Sequence, residues 1–448
     1  MLVSKSIAML FVRFLLVLAC FVGHGAFWVA CFNRINATGL DRRLIKKIEK
    51  ILIAACLVLP LILAAFYGRE VWEWCVGSDS AGTLAPRLTE SRSLSTVPIL
   101  YGLVSLLALA ILLPMFIAAR FEMRQEKSLV QERRSTCYDI ASIARGDIYG
   151  QSLARRLASL PGNQIGKLEI VRKRMEMPRL PAELNGLSIL HLSDLHLTGE
   201  MTPEFYRTAF DLALQSLFEN QQPDLCILSG DLVDFDPFLS WLPDLLRPIN
   251  ALFGNYFLLG NHDRRLSDPD ALRTMMTEMG WQDVGRNGYA IHIAGKRVEI
   301  IGNEKPWFAA NPDNGGYFDD GDNAAAAGSF GAPDFEIAVA HSPDQFSWAI
   351  GENSDLFLAG HTHGGQVRVP VLGPLIAPSW HGSRYASGVF RRRSTTMHVS
   401  RGISGVHPLR WNCPPEIATL ELRSPWAQPD RMASWRDTPE AGVFHAEN

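Results

Sequence analysis

Hydrophobic positions divide the chain into two regimes. Up to about residue 120 they run in long, nearly unbroken blocks. From about Lys167 they come as short runs that end in small or polar residues. Three blocks stand out in the first regime: Ile7 to Phe32, interrupted by Arg13 and His24; Ile51 to Tyr67, with Pro60 inside; and Val97 to Ala119. Each approaches the ~20 residues that an α-helix needs to cross a bilayer. Residues 1–120 are therefore expected to form a transmembrane region with spans at about 7–32, 51–67 and 97–119. The first block has the charged start of a secretory signal, but no clear small-x-small cleavage site follows it, so it reads as a span. Arg13 is expected to snorkel to a headgroup.

Basic residues set the expected orientation. The loop after the first block carries Arg34, Arg42, Arg43, Lys46, Lys47 and Lys50, while the next loop has only Arg69, Arg87 and Arg92. Arg120, Arg124, Lys127, Arg133 and Arg134 follow the third block. An excess of Lys and Arg marks the cytoplasmic side. The expectation is an integral protein of the inner or plasma membrane, with everything after Arg120 in the cytoplasm.

Residues 121–164 are charged and mixed and are expected to be a linker with some helix. The next segment, 165–424, alternates apolar runs with helical patterns, which predicts an α/β domain. The runs LSILHLSD, DLCILSGD, NYFLLGN, FEIAVAH and DLFLAGH read as buried strands ending at Asp194, Asp231, Asn261, His341 and His361. Between them a helix is expected with Thr202 as N-cap and Pro203 at its first position. A second helix is expected to open at Ser267 and to stop near Gly280. Residues 311–334 are rich in Gly, Ala and Asp and read as a flexible insert, a candidate lid. The tail 425–448 is expected to be disordered.

Every one of those five strands ends in a residue able to bind a metal. In open α/β sheets, ligands bind beyond the carboxyl ends of the strands, so the five converge on one rim. His196 follows Asp194 by two positions and His363 follows His361 by two. On an extended chain such pairs point the same way. Composition adds limits. Net charge is −3 and the pI is about 6.5, which argues against a nucleic-acid partner. The seven cysteines include no C-x-x-C pair, and their irregular spacing suggests neither a zinc ribbon nor a disulfide framework.

The ordered blocks Asp194-Leu195-His196, Gly230-Asp231-Leu232-Val233-Asp234, Gly260-Asn261-His262-Asp263, His341 and Gly360-His361-Thr362-His363 resemble the calcineurin-like metallophosphoesterase superfamily. The continuation Gly364-Gly365-Gln366, with Ser383-Arg384-Tyr385 and Pro414-Pro415-Glu416-Ile417, is similar to a bacterial membrane-associated branch, some of whose members hydrolyse UDP-diacylglucosamine. The resemblance implies a four-layer αββα sandwich behind the three membrane spans. It implies two divalent ions, one held by Asp194, His196, Asp231 and His363, the other by Asp231, Asn261, His341 and His361. Asp231 bridges them at ~3.5–4 Å, and a hydroxide between the ions attacks phosphorus. The mixed nitrogen and oxygen donors suit Mn, Fe or Zn.

His262 is assigned as the general acid, with Asp263 expected to orient it and Asp234 expected to bond a ligand histidine. The substrate class is a phosphodiester or pyrophosphate, with a lipid-linked one favoured by the membrane spans. A phosphomonoesterase or phosphoprotein phosphatase, and a non-catalytic scaffold on the same fold, are the alternatives. Nothing in the sequence defines an oligomeric state.

Overall fold

The computed structural model describes residues 2–76, 94–150, 153–218, 222–309 and 332–427. The expected insert and the expected disordered tail fall almost wholly on residues 310–331 and 428–448, outside the described residues. The chain divides into two compact units, 1–120 and 121–448.

The first unit is helical. Helices α1 (Leu2–Ile35), α2 (Arg42–Val76, containing Pro60) and α3 (Thr96–Met123, whose last residues belong to the second unit) are long and apolar enough to be candidate membrane spans. Large apolar side chains such as Leu61, Phe66 and Leu107 are exposed on them, as a lipid-facing helix requires. Two polar side chains that interrupt the apolar run of α1 find partners. His24 Nε2 is 2.9 Å from the Cys56 carbonyl. Arg13 donates to the Trp74 carbonyl at 2.6 Å and lies over the Trp74 ring.

The second unit is built on two sheets. Along the chain come β1 (Val130–Asp139), β2 (Lys167–Glu176), β3 (Ser188–Leu192), β4 (Leu225–Ser229), β5 (Asn255–Leu258), β6 (Trp281–Asp283), β7 (Tyr289–Ile293), β8 (Lys296–Asn303), β9 (Phe335–Ala340) and β10 (Leu356–Ala359). A short ribbon follows, β11 (Arg368–Val369) and β12 (Gly373–Pro374), then β13 (Gly388–Arg392), β14 (Thr395–Val399) and β15 (Glu416–Arg423). The first sheet has the order β1-β2-β15-β3-β4-β5-β6, the second β13-β14-β10-β9-β8-β7. Strands β3 to β6 run parallel, as do β8, β9, β10 and β14.

Alternation along the strands sorts the cores. Ile189, Ile227, Tyr256 and Leu258 of the first sheet pack with Ile337, Val339, Leu356 and Leu358 of the second. The opposite faces, Leu190, Leu192, Leu228 and Phe257, pack under helix Pro203–Phe218 and helix Pro269–Glu278. Phe357 and Ala359 of β10 pack against Phe346 of the helix Phe346–Gly351. The result is four layers, helix, sheet, sheet and helix. Helix Pro203–Phe218 shows the matching 3.6-residue stripe: Phe205, Tyr206, Ala209, Phe210, Ala213 and Leu217 are buried.

Three local expectations are corrected. The stretch 121–164 is not a linker. Strand β1 pairs antiparallel with β2 along its length, and Ile140, Ile148 and Ala154 enter the core. Thr202 does not cap its helix; its hydroxyl donates to the Asp147 carbonyl. The second helix is capped by Asp268, which accepts from the N–H groups of Asp270 and Ala271, because the Ser267 hydroxyl is turned to Asp236.

Candidate metal centre

The five strands end one to three residues before the expected ligands: β3 before Asp194, β4 before Asp231, β5 before Asn261, β9 before His341 and β10 before His361. Parallel alignment within each sheet brings all five loops to one rim. The backbone there is not extended. Asp194, His196, Asp231, His361 and His363 have φ between +47° and +69°, a left-handed conformation that non-glycine residues adopt uncommonly and that marks functional sites. The two D-x-H-like pairs therefore converge through tight turns, and the extended-chain reading of their spacing is corrected.

The seven side chains form one cluster, buried except for the half-buried Asn261 and His363. Asp194, His196 and His363 present ligand atoms to a common point, and so do Asp231, His341 and His361. His196 Nε2 is 3.1 Å from His363 Nε2 and 3.4 Å from Asp231 Oδ2. His341 Nε2 is 3.1 Å from the same Asp231 oxygen and 3.2 Å from Asn261 Oδ1. His363 Nε2 is 3.5 Å from Asp194 Oδ1.

The hydrogen bonds behind these atoms fix their chemistry. His341 Nδ1 donates to the Ser229 carbonyl at 2.8 Å, and His196 Nδ1 donates to Asp234 Oδ2 at 2.8 Å. A neutral imidazole with its proton on Nδ1 offers only a lone pair at Nε2. Those lone pairs face carboxylate and amide oxygens, which are also acceptors. Asp231 Oδ2 is buried with no hydrogen-bond donor. A buried acceptor cluster of this kind needs cations, and a mixed nitrogen and oxygen set fits divalent transition metals.

The titration behaviour agrees. Burial pushes His341 down, but the charges of Asp231 and Asp194 and the bond to the Ser229 carbonyl outweigh this and hold it up at about 9. His196 is likewise raised, against its burial, by Asp234 and Asp231. Protons on these rings serve where a metal would, and metal binding would release them. His361 and His363 are lowered, first by burial and then by the neighbouring imidazoles.

A family model described as calcineurin-like phosphoesterase matches residues 187–365. The metallophosphoesterase YkuE of Bacillus subtilis, described as uncharacterized, is 31% identical over 264 residues, which cover 57% of this chain and 86% of YkuE. The chain belongs to the calcineurin-like phosphoesterase family. The phosphodiesterase YaeI of Escherichia coli is 28% identical over 57% of this chain and 89% of its own length. The UDP-2,3-diacylglucosamine pyrophosphatase LpxG of Chlamydia trachomatis is 24% identical over 56% and 88%. The family and these relatives make the second unit that of a phosphoester hydrolase.

Within this calcineurin-like site, one assignment is corrected. The Asp263 carboxylate makes no bond to the His262 ring. Its Oδ1 accepts the N–H groups of Leu232 and Val233, and its Oδ2 accepts that of Gly260. Asp263 ties the loop of Asp231 to the loop of Asn261. The carboxylate on His262 is Asp234, whose Oδ1 meets His262 Nδ1 while its Oδ2 holds His196. Burial lowers His262 to about 4.

Motif reading missed three residues. Arg265 reaches back one helical turn, with Nη2 2.7 Å from His262 Nε2 and Nη1 3.3 Å from Asp234; the three-residue spacing was the available signal. Trp307 covers His341 and His361 with ring centroids 5.4 and 5.0 Å away. Buried Arg410 donates to the His363 carbonyl at 3.0 Å. Neither of the last two has a sequence signal.

Proposed function

We propose that this protein is a membrane-anchored hydrolase that uses two divalent ions to cleave a phosphodiester or pyrophosphate, with a lipid-linked substrate favoured. The observation that carries the reading is Asp231. Its donorless Oδ2 lies between His196 of one ligand group and His341 of the other, so one carboxylate would serve both. Asp194, His196 and His363 would hold one ion and Asn261, His341 and His361 the other. When bound, such a pair supplies a water of lowered pKa and neutralises charge on the phosphoryl oxygens.

The protein's own groups do the rest. Asp234 fixes the ring of His262 through Nδ1, so Nε2 faces the mouth of the site beside Arg265. In this arrangement Nε2 is an acceptor for the guanidinium. To protonate a leaving oxygen, His262 must gain a proton at Nε2 and give up the Arg265 bond. That exchange lets Arg265 Nη2 donate to a phosphoryl oxygen, for which the planar guanidinium is suited. Trp307 keeps water from the flank of His341 and His361.

The likeness to LpxG and the three candidate spans support a lipid-linked substrate, and the basic loops support a cytoplasmic site. The test uses the full-length protein in detergent, chelated and then reloaded with Mn, Fe, Zn or Mg. Hydrolysis of a chromogenic diester, a chromogenic monoester and a UDP-linked lipid pyrophosphate is compared. The expected result is metal-dependent turnover of diester or pyrophosphate that Asp231→Ala abolishes. Turnover that survives both chelation and Asp231→Ala would sink the proposal. A preference for the monoester would replace the substrate class. Protease protection in sealed vesicles tests the sidedness.

A further inference from the structure

We propose that the ribbon following the last ligand histidine, residues 366–380, is a docking surface for the lipid bilayer. Its side chains are the wrong kind for a water-facing turn. Val371 is fully exposed, at 103% of its reference area, and Val369, Leu372, Ile376 and Trp380 are exposed around it. Trp411 is exposed beside them, and its carbonyl accepts the Arg368 N–H at 2.9 Å. Single exposed apolar residues are ordinary, but a continuous set marks an interaction surface. The tip is also costly. Val371 has φ +68°, where a β-branched residue is a genuine outlier and Gly or Asn is the usual choice.

The ribbon is held firmly. β11 and β12 pair through Arg368–Pro374 and Val369–Gly373. Arg368 Nε donates to the Gly364 carbonyl at 2.9 Å. Gly365 lies so close beneath Pro374 that a Cβ would sit 2.4 Å from the proline ring. The apolar tip is therefore a fixed protrusion rooted next to His363.

The chain itself points to the bilayer as the occupant. Helix α3 ends at Met123, and β1 begins at Val130. Glu122, at the end of α3, and Gln125, just beyond it, are clamped to the loop that continues the ribbon and to β13. Glu122 accepts from Arg384 and lies 3.5 Å from Arg392, and Gln125 accepts from the Arg391 N–H at 3.4 Å. Arg384 is four residues beyond Trp380, so Trp380 lies within about 14 Å of the clamp even on a fully extended chain. Exposed tryptophans and aliphatic side chains this near a membrane exit suit the headgroup boundary, where aromatic rings concentrate. Docking there would turn the mouth beside His363 toward the lipid.

The inference rests on the membrane reading of α1 to α3 and not on turnover. The test uses full-length protein in phosphatidylethanolamine and phosphatidylglycerol vesicles. An environment-sensitive non-natural side chain is placed at position 371. A control carries it at position 295, in the β7–β8 turn at the far edge of the second sheet, where a Cβ meets nothing within 4 Å and the φ of +75° matches the left-handed backbone at 371. Flotation establishes insertion first. The expected result is blue-shifted emission at 371, several-fold stronger quenching by doxyl-labelled lipid than at 295, and several-fold weaker quenching by aqueous iodide. Iodide quenching at 371 in floated protein overturns the docking and leaves the membrane reading standing. Protection from both quenchers also overturns it, because protein, including a second copy, then covers the ribbon. Failure to float overturns both readings together. A catalytically inactive preparation gives the same optical result if the docking is right, so failure of the hydrolase reading stays distinguishable.

Discussion

Substituting Gly260 by alanine isolates the effect of space at the metal centre. Gly260 has no positive φ, so an alanine there faces no backbone penalty. Its Cβ would, however, lie 2.2 Å from Asp231 Oδ1 and 2.5 Å from the Asp231 nitrogen. Contacts under 3.0 Å force a shift, so the carboxylate must recede by at least 3.0 − 2.2 = 0.8 Å. The neighbour includes backbone, which cannot swing aside as a long side chain does. A displacement of about 1 Å at a catalytic group costs on the order of 10²-fold in rate, or about 2.7 kcal/mol of barrier. Overpacking costs about 1–3 kcal/mol of stability, and each kcal/mol lowers Tm by roughly 2–4 °C in a domain of this class. Gly260→Ala is thus expected to fold, to melt somewhat earlier, and to lose about two orders of magnitude in metal-dependent diester hydrolysis. Gly351→Ala is the control, since its Cβ meets nothing within 4 Å, and it should keep full activity. Turnover is read on protein reloaded with Mn, beside bound metal by elemental analysis and Tm by scanning fluorimetry. Turnover and metal content within about threefold of the parent, a difference of only about 0.7 kcal/mol, would refute the reasoning.

Exchanging carboxylate for amide separates two aspartates. Asp234→Asn, left with one acceptor for two histidines, should lose roughly 10–100-fold in metal affinity or turnover with little change in Tm. Asp263→Asn should instead lose about 1–3 kcal/mol of stability by facing an N–H with an amide donor; lost turnover at unchanged Tm would return the orienting role to Asp263. Arg265→Ala should lower kcat/KM by about 10–100-fold, roughly 1.4–2.7 kcal/mol, and Arg265→Lys should recover only part of it. Equal kcat/KM in all three forms would remove Arg265 from the site. Glu336 tests pH-dependent stability. Burial, followed by the nearby charges of Glu299, Glu352 and Asp355, raises it from 4.5 to about 7 against the Ser354 hydrogen bond. Between those values the unfolded chain releases the proton and the folded chain keeps it. The stabilisation present below 4.5 is therefore lost as pH rises through 7, by up to about 3 kcal/mol. Glu336→Gln should flatten Tm against pH in that window, and an unchanged slope would show that Glu336 is not the group responsible.

The ligand residues were legible because each obeys two local rules at once. It follows a short apolar run, and it recurs with a fixed neighbour, as in Gly260-Asn261-His262 or Gly360-His361-Thr362-His363. The inner strands were legible from alternation or continuous apolarity. β1 was not, because VQERRSTCYD is an edge strand whose residues are nearly all exposed and polar, leaving no period to read. The roles of Asp234 and Asp263 were exchanged for a related reason. Sequence adjacency placed Asp263 beside His262, but the 3-10 turn Asp263–Arg265 sends its carboxylate back to three backbone N–H groups and leaves His262 to Asp234. Helix caps failed where a nearby carbonyl or carboxylate competed for the hydroxyl, as Asp147 does for Thr202 and Asp236 for Ser267.

The glycines show how the centre is assembled from both sheets. Gly230 follows β4 of the first sheet, and a Cβ there would press 2.7 Å from Nδ1 of His341, which follows β9 of the second. Gly360 follows β10 of the second sheet, and a Cβ there would press 2.4 Å from Oδ2 of Asp194, which follows β3 of the first. Hydrogen bonds cross at the same two places. His341 Nδ1 donates to the Ser229 carbonyl, and the His361 N–H meets both oxygens of Asp194 at 3.1 Å. The rim that concentrates acceptor atoms is therefore also the seam where the sheets are fastened. Left without cations, that seam sets buried lone pairs and carboxylates against one another, a costly arrangement. It is relieved by protons on His196 and His341 or by metal ions. Binding at this rim then stabilises the folded chain by RT ln(1 + [metal]/Kd). The strained turns at Asp194, Asp231 and His361 persist because the same contacts that hold metal also hold the two sheets together.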